Sequence, residues 1–598
     1  MSAVPRVPEV STFALLRGLW YLLDARERRR IVWLQLAGVG IGLSTVVGIA
    51  AVIPFLHVLT DPASIGRSRV LSWLYQQAGF ASHEQFQLAL GVGFVAVVAL
   101  ANAARLSGTL AIQRFVNDMG SRFHVALFDE YLHREYPFHA ARDSSVLVSN
   151  VVYEVSRVSG GMLLAAMTLI ASLVTCVLVA ASIVWLAPLA AVLGATLLGG
   201  CFLLLHLATR RRLARSGATV TRLWADRSRL LSESFASIRE VLLGGRQRHF
   251  VSAARAQSEV IAEEMMRGQA ISNAPRFLFE TVAAAALVLI ALSLDARGAP
   301  GAWLAQLSFL ALAIYRLVPS LALAFASAAR LRTDRSGFER IATDLALGLA
   351  RARQPPRDDE PVDAARTSRI TLRAVSYRYP EARGDAVHDV NLDIPAGAWA
   401  AFVGPTGSGK TTLADLIVGL LRPTEGCIEI DGLPLLDDDL RRWQARIAWV
   451  PQHPVLLNAS LAENVAFGVP LEHIDAARVA YAIEVAQLGG LVSSWPERTG
   501  RLLGERGARL SGGQRQLVGI ARALYRDASL LLFDEATSAL DAATEAAVME
   551  ALVTRLRDRS CILVTHRPSL LRFCDHVIEF HAGHARVRIA DAPRRNLA

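Results

Sequence analysis

The sequence is almost without lysine: Lys410 is the only lysine among its 63 basic residues, and all the others are arginine. It has five cysteines, none in a CxxC or other metal-type spacing, which argues against a cysteine-based metal site. The first 30 residues show no small-residue cleavage pattern, so we do not expect a cleavable signal peptide. Charged side chains are missing altogether from residues 160–209, a gap long enough for two passages through a bilayer.

Apolar residues are abundant, at 53% of 598 residues, and the mean hydropathy is +0.35. The chain is too long for one core, and its apolar excess lies before about residue 330, so we expect a membrane domain followed by a soluble one. The net charge of +10 is compatible with nucleic-acid binding. However, the arginines cluster beside the apolar runs, as they do on the cytoplasmic flanks of membrane helices. We therefore expect membrane lipids, and no nucleic acid, as partners.

The predicted fold is an α-helical six-span transmembrane domain fused to an α/β domain with a phosphate-binding loop. The predicted boundaries are 1–340 for the membrane domain, 341–368 for a polar, proline-bearing linker and 369–598 for the α/β domain. The predicted spans are about 31–56, 88–112, two within 160–209 separated by the turn WLAP at 185–188, 277–294 and 302–329.

The distribution of arginine predicts the orientation. The loop 60–87 holds only Arg67 and Arg69, whereas the segment after the fourth span begins with RRRLAR at 210–215. Both termini and the soluble domain are therefore expected on the cytoplasmic side of the cell inner membrane.

Two segments have the pattern of helices that lie on a membrane surface. One is 11–23, on the inner surface. The other is 67–80, on the outer surface, where apolar residues fall roughly along one helical face. These apolar residues are Val70, Leu71, Trp73, Leu74 and Phe80.

The only lysine belongs to GPTGSGKTT at 404–412, which matches the phosphate-loop pattern G-x-x-x-x-G-K-[ST] between an apolar strand and a helix. Backbone N–H groups of such a loop wrap phosphates at the helix N-terminus. Lysine reaches the β- and γ-phosphates as a compact charge, where the planar fork of arginine would not fit. The predicted ATP-binding residues here are Gly404, Pro405, Thr406, Gly407, Ser408, Gly409, Lys410, Thr411 and Thr412.

A second apolar strand, LLLFDE at 530–535, ends in two acidic residues. We predict that Asp534 holds Mg²⁺ through its water shell and that Thr411 ligates the ion directly. Glu535, one residue further on, is placed to polarise the attacking water as the catalytic base.

Further motifs follow in an order that resembles the ATP-binding cassette (ABC) family. They are Tyr379 in SYRYP, Gln452 in VPQ, the signature LSGGQ at 510–514, SALD at 538–541 and His566 in VTH. The resemblance implies ATP and Mg²⁺ as cofactors, adenine stacking on Tyr379, Gln452 as a further Mg²⁺ ligand, and catalysis assisted by Gln452 and His566. Leu517 and the turn FHAGHARV depart from the common family pattern and put fine regulation in doubt.

The resemblance also implies the assembly. Six spans ahead of one cassette resemble an exporter-type half-transporter, in which the signature helix grips a nucleotide bound by the opposite cassette. We therefore expect a homodimer in which both sites hydrolyse ATP. Coupling helices are expected near 144–153 and 238–245. The signature residues with this role are Ser511, Gly512, Gly513 and Gln514.

Arg105 and Arg316 lie in predicted spans and Arg276 stands at the start of the fifth, all places where charge is costly. A cavity lined by arginine suits a phosphate or pyrophosphate headgroup. The structural alternative is snorkelling near a helix end, or for Arg276 a pair with Glu280 one helical turn away.

Together with the outer helix, the segments NAPRFLFE at 273–280 and YRLVPS at 315–320 resemble bacterial flippases for lipid-linked oligosaccharides. The resemblance implies ATP-driven translocation of a polyprenyl-diphosphate glycan. The alternatives are an exporter of lipids, drugs or peptides with the same engine, and an ATP-gated channel or sensor that transports nothing. No cysteine precedes Cys176, so we expect no N-terminal cargo-processing peptidase.

Overall fold

The computed structural model describes residues 12–60, 64–77, 80, 82–186, 188–295, 302–353, 367–380 and 382–589. The chain divides into two compact units, Met1–Arg134 with Phe138–Pro355, and Glu135–Pro137 with Pro356–Ala598.

The described residues from Thr12 to Arg351 form fourteen α-helices, and two π-helical turns, Asn150–Glu154 and Arg157–Leu163, lead into α9. The helices are α1 Thr12–Leu22, α2 Ala25–Ala50, α3 Val52–Thr60, α4 Ser64–Arg67, α5 Arg69–Gln77, α6 His83–Leu132, α7 Tyr136–Ala140, α8 Ser144–Ser149, α9 Leu164–Leu186, α10 Pro188–Ala236, α11 Ile238–Leu243, α12 Gln247–Asp295, α13 Ala302–Thr333 and α14 Arg335–Arg351.

Within the described ranges, four helices are long and apolar enough to cross a membrane, and a shorter apolar helix covers Gly194–Thr209. The four are Ala25–Leu59, His83–Leu132, Ser144–Leu186 and Leu307–Thr333. The fourth predicted span lies in α10 and the fifth in α12, both of them long helices. The membrane unit is therefore helical, as predicted, while the count of six spans stays a prediction.

The helix α1 packs against the membrane unit through its leucines. Leu15 and Leu19 are buried in one core cluster with Phe338 and Ile341 of α14, whereas Tyr21 is exposed. Asp24 then caps α2 in a capping box with Glu27. The placement of α1 at the membrane surface stays a prediction.

The predicted outer helix 67–80 falls on α4 and α5, and residues 78 and 79 lie outside the described residues. Its apolar residues divide between two faces. Leu71 is buried against Val58, Ile65 and Phe86, with Phe80 packed beside them. Exposed apolar side chains form the other face, and these are Val70, Trp73 and Leu74.

The helix α14 covers the start of the predicted linker. Phe338, Ile341, Leu345 and Leu349 are buried in the core of the first unit. Residues 354–366 of the predicted linker lie outside the described residues. Short helices, α8 and α11, stand where the coupling helices are predicted, and their coupling role stays a prediction.

A buried polar cluster joins several helices where α13 ends and α14 begins. Arg157 donates to Asp334 Oδ1 (3.0 Å), to Glu154 Oε2 (3.0 Å) and to the main-chain oxygen of Thr333 (3.1 Å). It also contacts the hydroxyl of Thr221 on α10. Because Glu154 and Asp334 are buried, these bonds balance charges that would otherwise be costly.

The second unit is an α/β domain. Its strands are β1 Ile370–Tyr377, β2 Val387–Ile394, β3 Trp399–Val403, β4 Glu425–Ile430, β5 Leu433–Pro434, β6 Ile447–Val450, β7 Leu530–Asp534, β8 Ser560–Val564, β9 His576–His581 and β10 His584–Ile589. Its α-helices are α15 Lys410–Ile417, α16 Asp437–Ala445, α17 Leu461–Val465, α18 Ala476–Val485, α19 Gly489–Ser493, α20 Gly512–Tyr525 and α21 Ala542–Arg555.

Two sheets form the domain, an antiparallel sheet in the order β2-β1-β4-β5 and a six-stranded sheet in the order β10-β9-β3-β8-β7-β6. In the second sheet every neighbouring pair from β9 to β6 is parallel. The strands β3, β7 and β8 are almost entirely buried, which explains their continuous apolar sequences. The carboxyl ends of parallel strands share one edge of the sheet, where ligands commonly bind.

Candidate nucleotide-binding site

The predicted site residues follow four parallel strands and therefore lie at one edge of the sheet. The phosphate loop follows β3, Gln452 follows β6, Glu535 follows β7 and His566 follows β8. These segments are distant in sequence, and the strand order places them side by side.

The phosphate loop requires glycine at its tight points. Gly404 and Gly409 have φ angles of 146° and 104°, which side-chain-bearing residues rarely adopt. A Cβ atom at Gly409 would lie 2.4 Å from the main-chain oxygen of Ala386, and one at Gly404 equally close to that of Phe580. The loop therefore lies close to the neighbouring backbone at these two points, whereas nothing lies within 4 Å of a Cβ added at Gly407.

Lys410 is held inside the loop. Its Nζ donates to the main-chain oxygens of Gly404 and Pro405, both at 2.8 Å, and the residue is only 5% exposed. Burial lowers the pKa of this ammonium, while the charges of Glu535 and Asp534 oppose the shift. A compact ammonium fits this position, and the fork of arginine would not.

One observation supports an anionic ligand here. The buried hydroxyl of Ser408 makes no hydrogen bond in the part of the chain that the structure describes. A buried donor without a partner is costly, and a phosphate oxygen would satisfy it. The loop thus fits the nucleotide phosphates predicted from the sequence.

Glu535 is the centre of a second cluster. Gln452 Nε2 donates to Glu535 Oε2 at 2.8 Å, and His566 Nε2 lies 3.0 Å from Glu535 Oε1. The φ angle of Glu535 is 48°, and its N–H donates to the main-chain oxygen of Val564 at 2.9 Å. The structure therefore brings together the three residues that the sequence proposes for catalysis.

Asp534 lies at the end of β7, beside this cluster. Burial raises the pKa of its carboxyl, the charge of Glu535 raises it further, and Lys410 opposes the shift. Asp534, Thr411 and Gln452 offer carboxylate, hydroxyl and amide oxygens, which are the ligands that Mg²⁺ prefers. This donor set fits a magnesium ion.

Tyr379 and the signature residues lie around these clusters. The hydroxyl of Tyr379 is 3.2 Å from Thr412 Oγ1, and its ring is partly exposed. Ser511 caps α20, because its Oγ accepts from Gln514 N (3.2 Å) while Gln514 Oε1 accepts from Ser511 N (3.0 Å). Gly512 is the first residue of α20. In the described residues no hydrogen bond of Ser511 or Gln514 reaches the phosphate loop.

The three arginines predicted in or at the start of spans differ in their partners. Arg276 pairs with Glu280 at 2.9 Å, which is the structural alternative raised by the sequence. Arg316 Nη2 donates to Asn102 Oδ1 of α6 at 3.3 Å, and Arg105 lies one turn further along α6. Over the described ranges, neither Arg105 nor Arg316 pairs with a carboxylate.

Three residues of these sites are not predicted from the sequence. Asn102 is a polar residue in an apolar span, a signal that could have flagged it. Gln516 and Arg567 bond to the segments around Glu535, and their signal is weaker, namely a position just after a recognised motif.

Comparison with known proteins agrees with this architecture. The family model "ABC transporter transmembrane region" matches residues 37–300, and the model "ABC transporter" matches residues 387–538. Among curated relatives, an "ATP-dependent lipid A-core flippase" of Polaromonas sp. is 30% identical over 592 residues, covering 96% of this chain and 94% of the relative. Proteins of the same name are 31% identical over 501 residues in Cupriavidus metallidurans (83% and 82% covered) and 40% identical over 243 residues in Burkholderia orbicola (40% of each covered).

A solved structure of a bacterial Atm1-family ABC exporter with ATP bound aligns with a TM-score of 0.74 at 21% identity, covering 96% of each chain. A helical membrane unit followed by a phosphate-loop ATPase is the fold of an ATP-driven exporter. The chain belongs to the ABC transporter family, and its ATPase domain hydrolyses ATP to drive transport.

Proposed function

We propose that this protein uses ATP to flip a lipid-linked oligosaccharide, a polyprenyl-diphosphate glycan, to the outer leaflet of the bacterial inner membrane. The observation that carries the proposal is the contact of Arg316 with Asn102, one turn from Arg105. An arginine at the centre of a span costs roughly 2.5–3.5 kcal/mol on insertion scales. A diphosphate headgroup would balance these charges and accept bidentate bonds from them.

The outer helix is consistent with a lipid cargo that has a long chain. Val70, Trp73 and Leu74 form an exposed apolar face on α5, although only a short loop is needed to join two spans. Such a face favours contact with lipid chains.

For the ATPase domain we propose the following roles. Glu535 polarises the attacking water, and Gln452 and His566 hold its carboxylate. Thr411, Gln452 and Asp534 would bind Mg²⁺, which supplies charge neutralisation at the phosphates.

The remaining roles concern the nucleotide and the assembly. Lys410 and the loop amides bind the phosphates, and Tyr379 stacks on adenine. Residues 511–514 of a second copy complete each site, so that the working form is a homodimer with both termini in the cytoplasm.

A second candidate cargo is lipid A-core. It is favoured by relatives of that name that match nearly the whole chain at about 30% identity. Transport of either candidate cargo requires the same ATPase domain. The cargo must therefore be tested directly.

The test is flipping in proteoliposomes with two cargo probes, a polyprenyl-diphosphate oligosaccharide and lipid A-core, each followed by its accessibility to an external modifying enzyme. We expect ATP-dependent flipping of the first probe. Glu535→Gln should abolish flipping and hydrolysis but keep ATP binding. Arg105→Ala with Arg316→Ala should lower flipping at least about tenfold while hydrolysis without cargo persists.

The matched control is Arg276→Ala, which removes an arginine at the start of a predicted span, where Glu280 already balances its charge. It should lower flipping less than the double variant does. Flipping of lipid A-core alone would transfer the function to the second candidate. Wild-type flipping by the double variant would remove Arg105 and Arg316 from the cargo path.

A further inference from the structure

Gln516 connects three segments that are far apart in sequence. It lies on α20 and is 2% exposed. Its Nε2 donates to the main-chain oxygen of Gln452 (3.2 Å) and to Ser538 Oγ (3.0 Å), and its Oε1 accepts from the N–H of Ala539 (2.8 Å). The side chain thus joins the segment after β6 to the segment after β7.

Arg567 also bonds to the segment after β7. Its Nη2 donates to the main-chain oxygen of Ser538 (2.8 Å), and its Nη1 donates to Glu545 Oε1 (2.6 Å). The pair is anchored because the Glu545 side chain is buried and also accepts from Ser569. Arg567 directly follows His566, so its position constrains the histidine.

These bonds belong to one hydrogen-bond network that surrounds Glu535. One carboxylate oxygen accepts from Gln452 and the other faces His566. The Gln452 main chain is bonded to Gln516, and Ser538 is bonded to both Gln516 and Arg567. The two side chains that touch Glu535 are therefore tied to each other through the segment that begins at Ser538.

We propose that Gln516 is a positioning residue for ATP hydrolysis, which fixes the Gln452 main chain and thereby keeps Gln452 Nε2 on Glu535. The inference rests on the proposed role of Glu535. A supporting shell of this kind holds a reacting group in one geometry. A displacement of about 1 Å lowers a rate by up to about 100-fold.

The test is Gln516→Met in the full-length transporter, since methionine has a similar length but cannot form these bonds. We expect kcat for ATP hydrolysis to fall about 10- to 100-fold while KM for ATP changes less than about twofold. The matched control is Gln444→Met, because Gln444 Nε2 also donates to a main-chain oxygen, that of Gly419, at 3.1 Å. The control should keep kcat near the wild-type value.

A double-variant cycle separates positioning from general damage. If Gln516 acts through Gln452, Gln516→Met should lower kcat less than about twofold further in a Gln452→Ala background. An equal loss in both backgrounds would overturn the proposal. If Gln516→Met does not fold, Gln516→Asn keeps the amide but is one methylene shorter, which draws it away from the Gln452 main-chain oxygen, and an unchanged kcat there would also overturn the proposal.

A wrong role for Glu535 and a wrong role for Gln516 give different results. Wild-type hydrolysis by Glu535→Gln would refute the role of Glu535. Loss of hydrolysis by Glu535→Gln, together with wild-type kcat in Gln516→Met, would refute only the positioning role.

Discussion

Asp415 has an unusual environment for a carboxyl group. It lies on α15, one helical turn beyond Thr411, and is 5% exposed. Burial, followed by the charge of Asp534, raises the pKa of this carboxyl from 3.8 to about 7. The folded domain therefore carries, close to its phosphate loop, an acid that is half protonated near neutral pH.

We predict that Asp415→Asn stabilises the protein increasingly as pH rises. Because the folded pKa exceeds the unfolded one, the folded state binds more protons between pH 4 and pH 7, and stability is lost as pH rises through that window. Asparagine does not ionise, so its advantage over aspartate should grow by about 1–3 kcal/mol between pH 5 and pH 8. The measurement is thermal unfolding of the full-length protein without Mg²⁺ and nucleotide.

The control for this prediction is Asp439→Asn, which changes an exposed aspartate. Because this side chain is exposed, its replacement should have only a small effect on thermal unfolding. An advantage of Asp415→Asn that is equal at pH 5 and pH 8 would contradict the elevated pKa.

The roles of some side chains in this domain can be predicted from the sequence, and those of others cannot. Lys410, Glu535 and His566 were predicted because each belongs to a motif whose chemistry is local. Asp415 and Gln516 were not, because their properties come from neighbours more than 20 residues away. Burial and long-range bonds of this kind have no signature in a single sequence.

The helices of the membrane unit meet at close backbone contacts. At Gly217 of α10 a Cβ atom would lie 2.0 Å from the main-chain oxygen of Thr333, which is also an acceptor for Arg157. Gly161, in the π-helical turn Arg157–Leu163, faces the side chain of Asp334. These glycines allow α10 and the π-helical turn before α9 to approach the corner between α13 and α14.

We expect Gly217→Ala to destabilise the protein, because a methyl group there collides with backbone rather than with a movable side chain. The control is Gly199→Ala in the same helix, where nothing lies within 4 Å of the added Cβ. Alanine is the better helix former by up to about 1 kcal/mol, so the control should be neutral or stabilising. Thermal unfolding in detergent compares the two, and equal midpoints would refute the close contact.

Apolar periodicity predicts most of the long helices but not their interruptions. The π-helical turns at Asn150–Glu154 and Arg157–Leu163 carry Glu154 and Arg157 of the buried cluster, and their geometry depends on packing. The helix α14 was assigned partly to the linker because its sequence is mixed. Its leucines are buried by neighbours that periodicity alone does not identify.

The ATPase domain holds a phosphate loop and a capped signature helix on one chain. In the described residues the two are not joined by hydrogen bonds of Ser511 or Gln514. The proposed homodimer accounts for this separation, because each site would take its phosphate loop from one chain and its signature from the other.

We predict complementation between two inactive chains. Lys410→Ala removes the phosphate contact, and Ser511→Arg blocks the signature, so each homodimer has two defective sites. A heterodimer of the two variants retains one intact site and should recover a measurable part of the hydrolysis. ATPase assays on tagged, co-purified heterodimers test this, and activity no higher than in either homodimer would contradict the shared site.

The lone lysine also gives this chain an unusual chemical simplicity. Apart from an α-amino group at the chain start, an amine-selective reagent meets a single side-chain target, and that target lies within the nucleotide site. A lysine-specific protease likewise has one cutting point, between Lys410 and Thr411. Modification of Lys410 by an amine-selective reagent, read as a mass shift, therefore reports whether nucleotide occupies the phosphate loop. No engineered probe is needed.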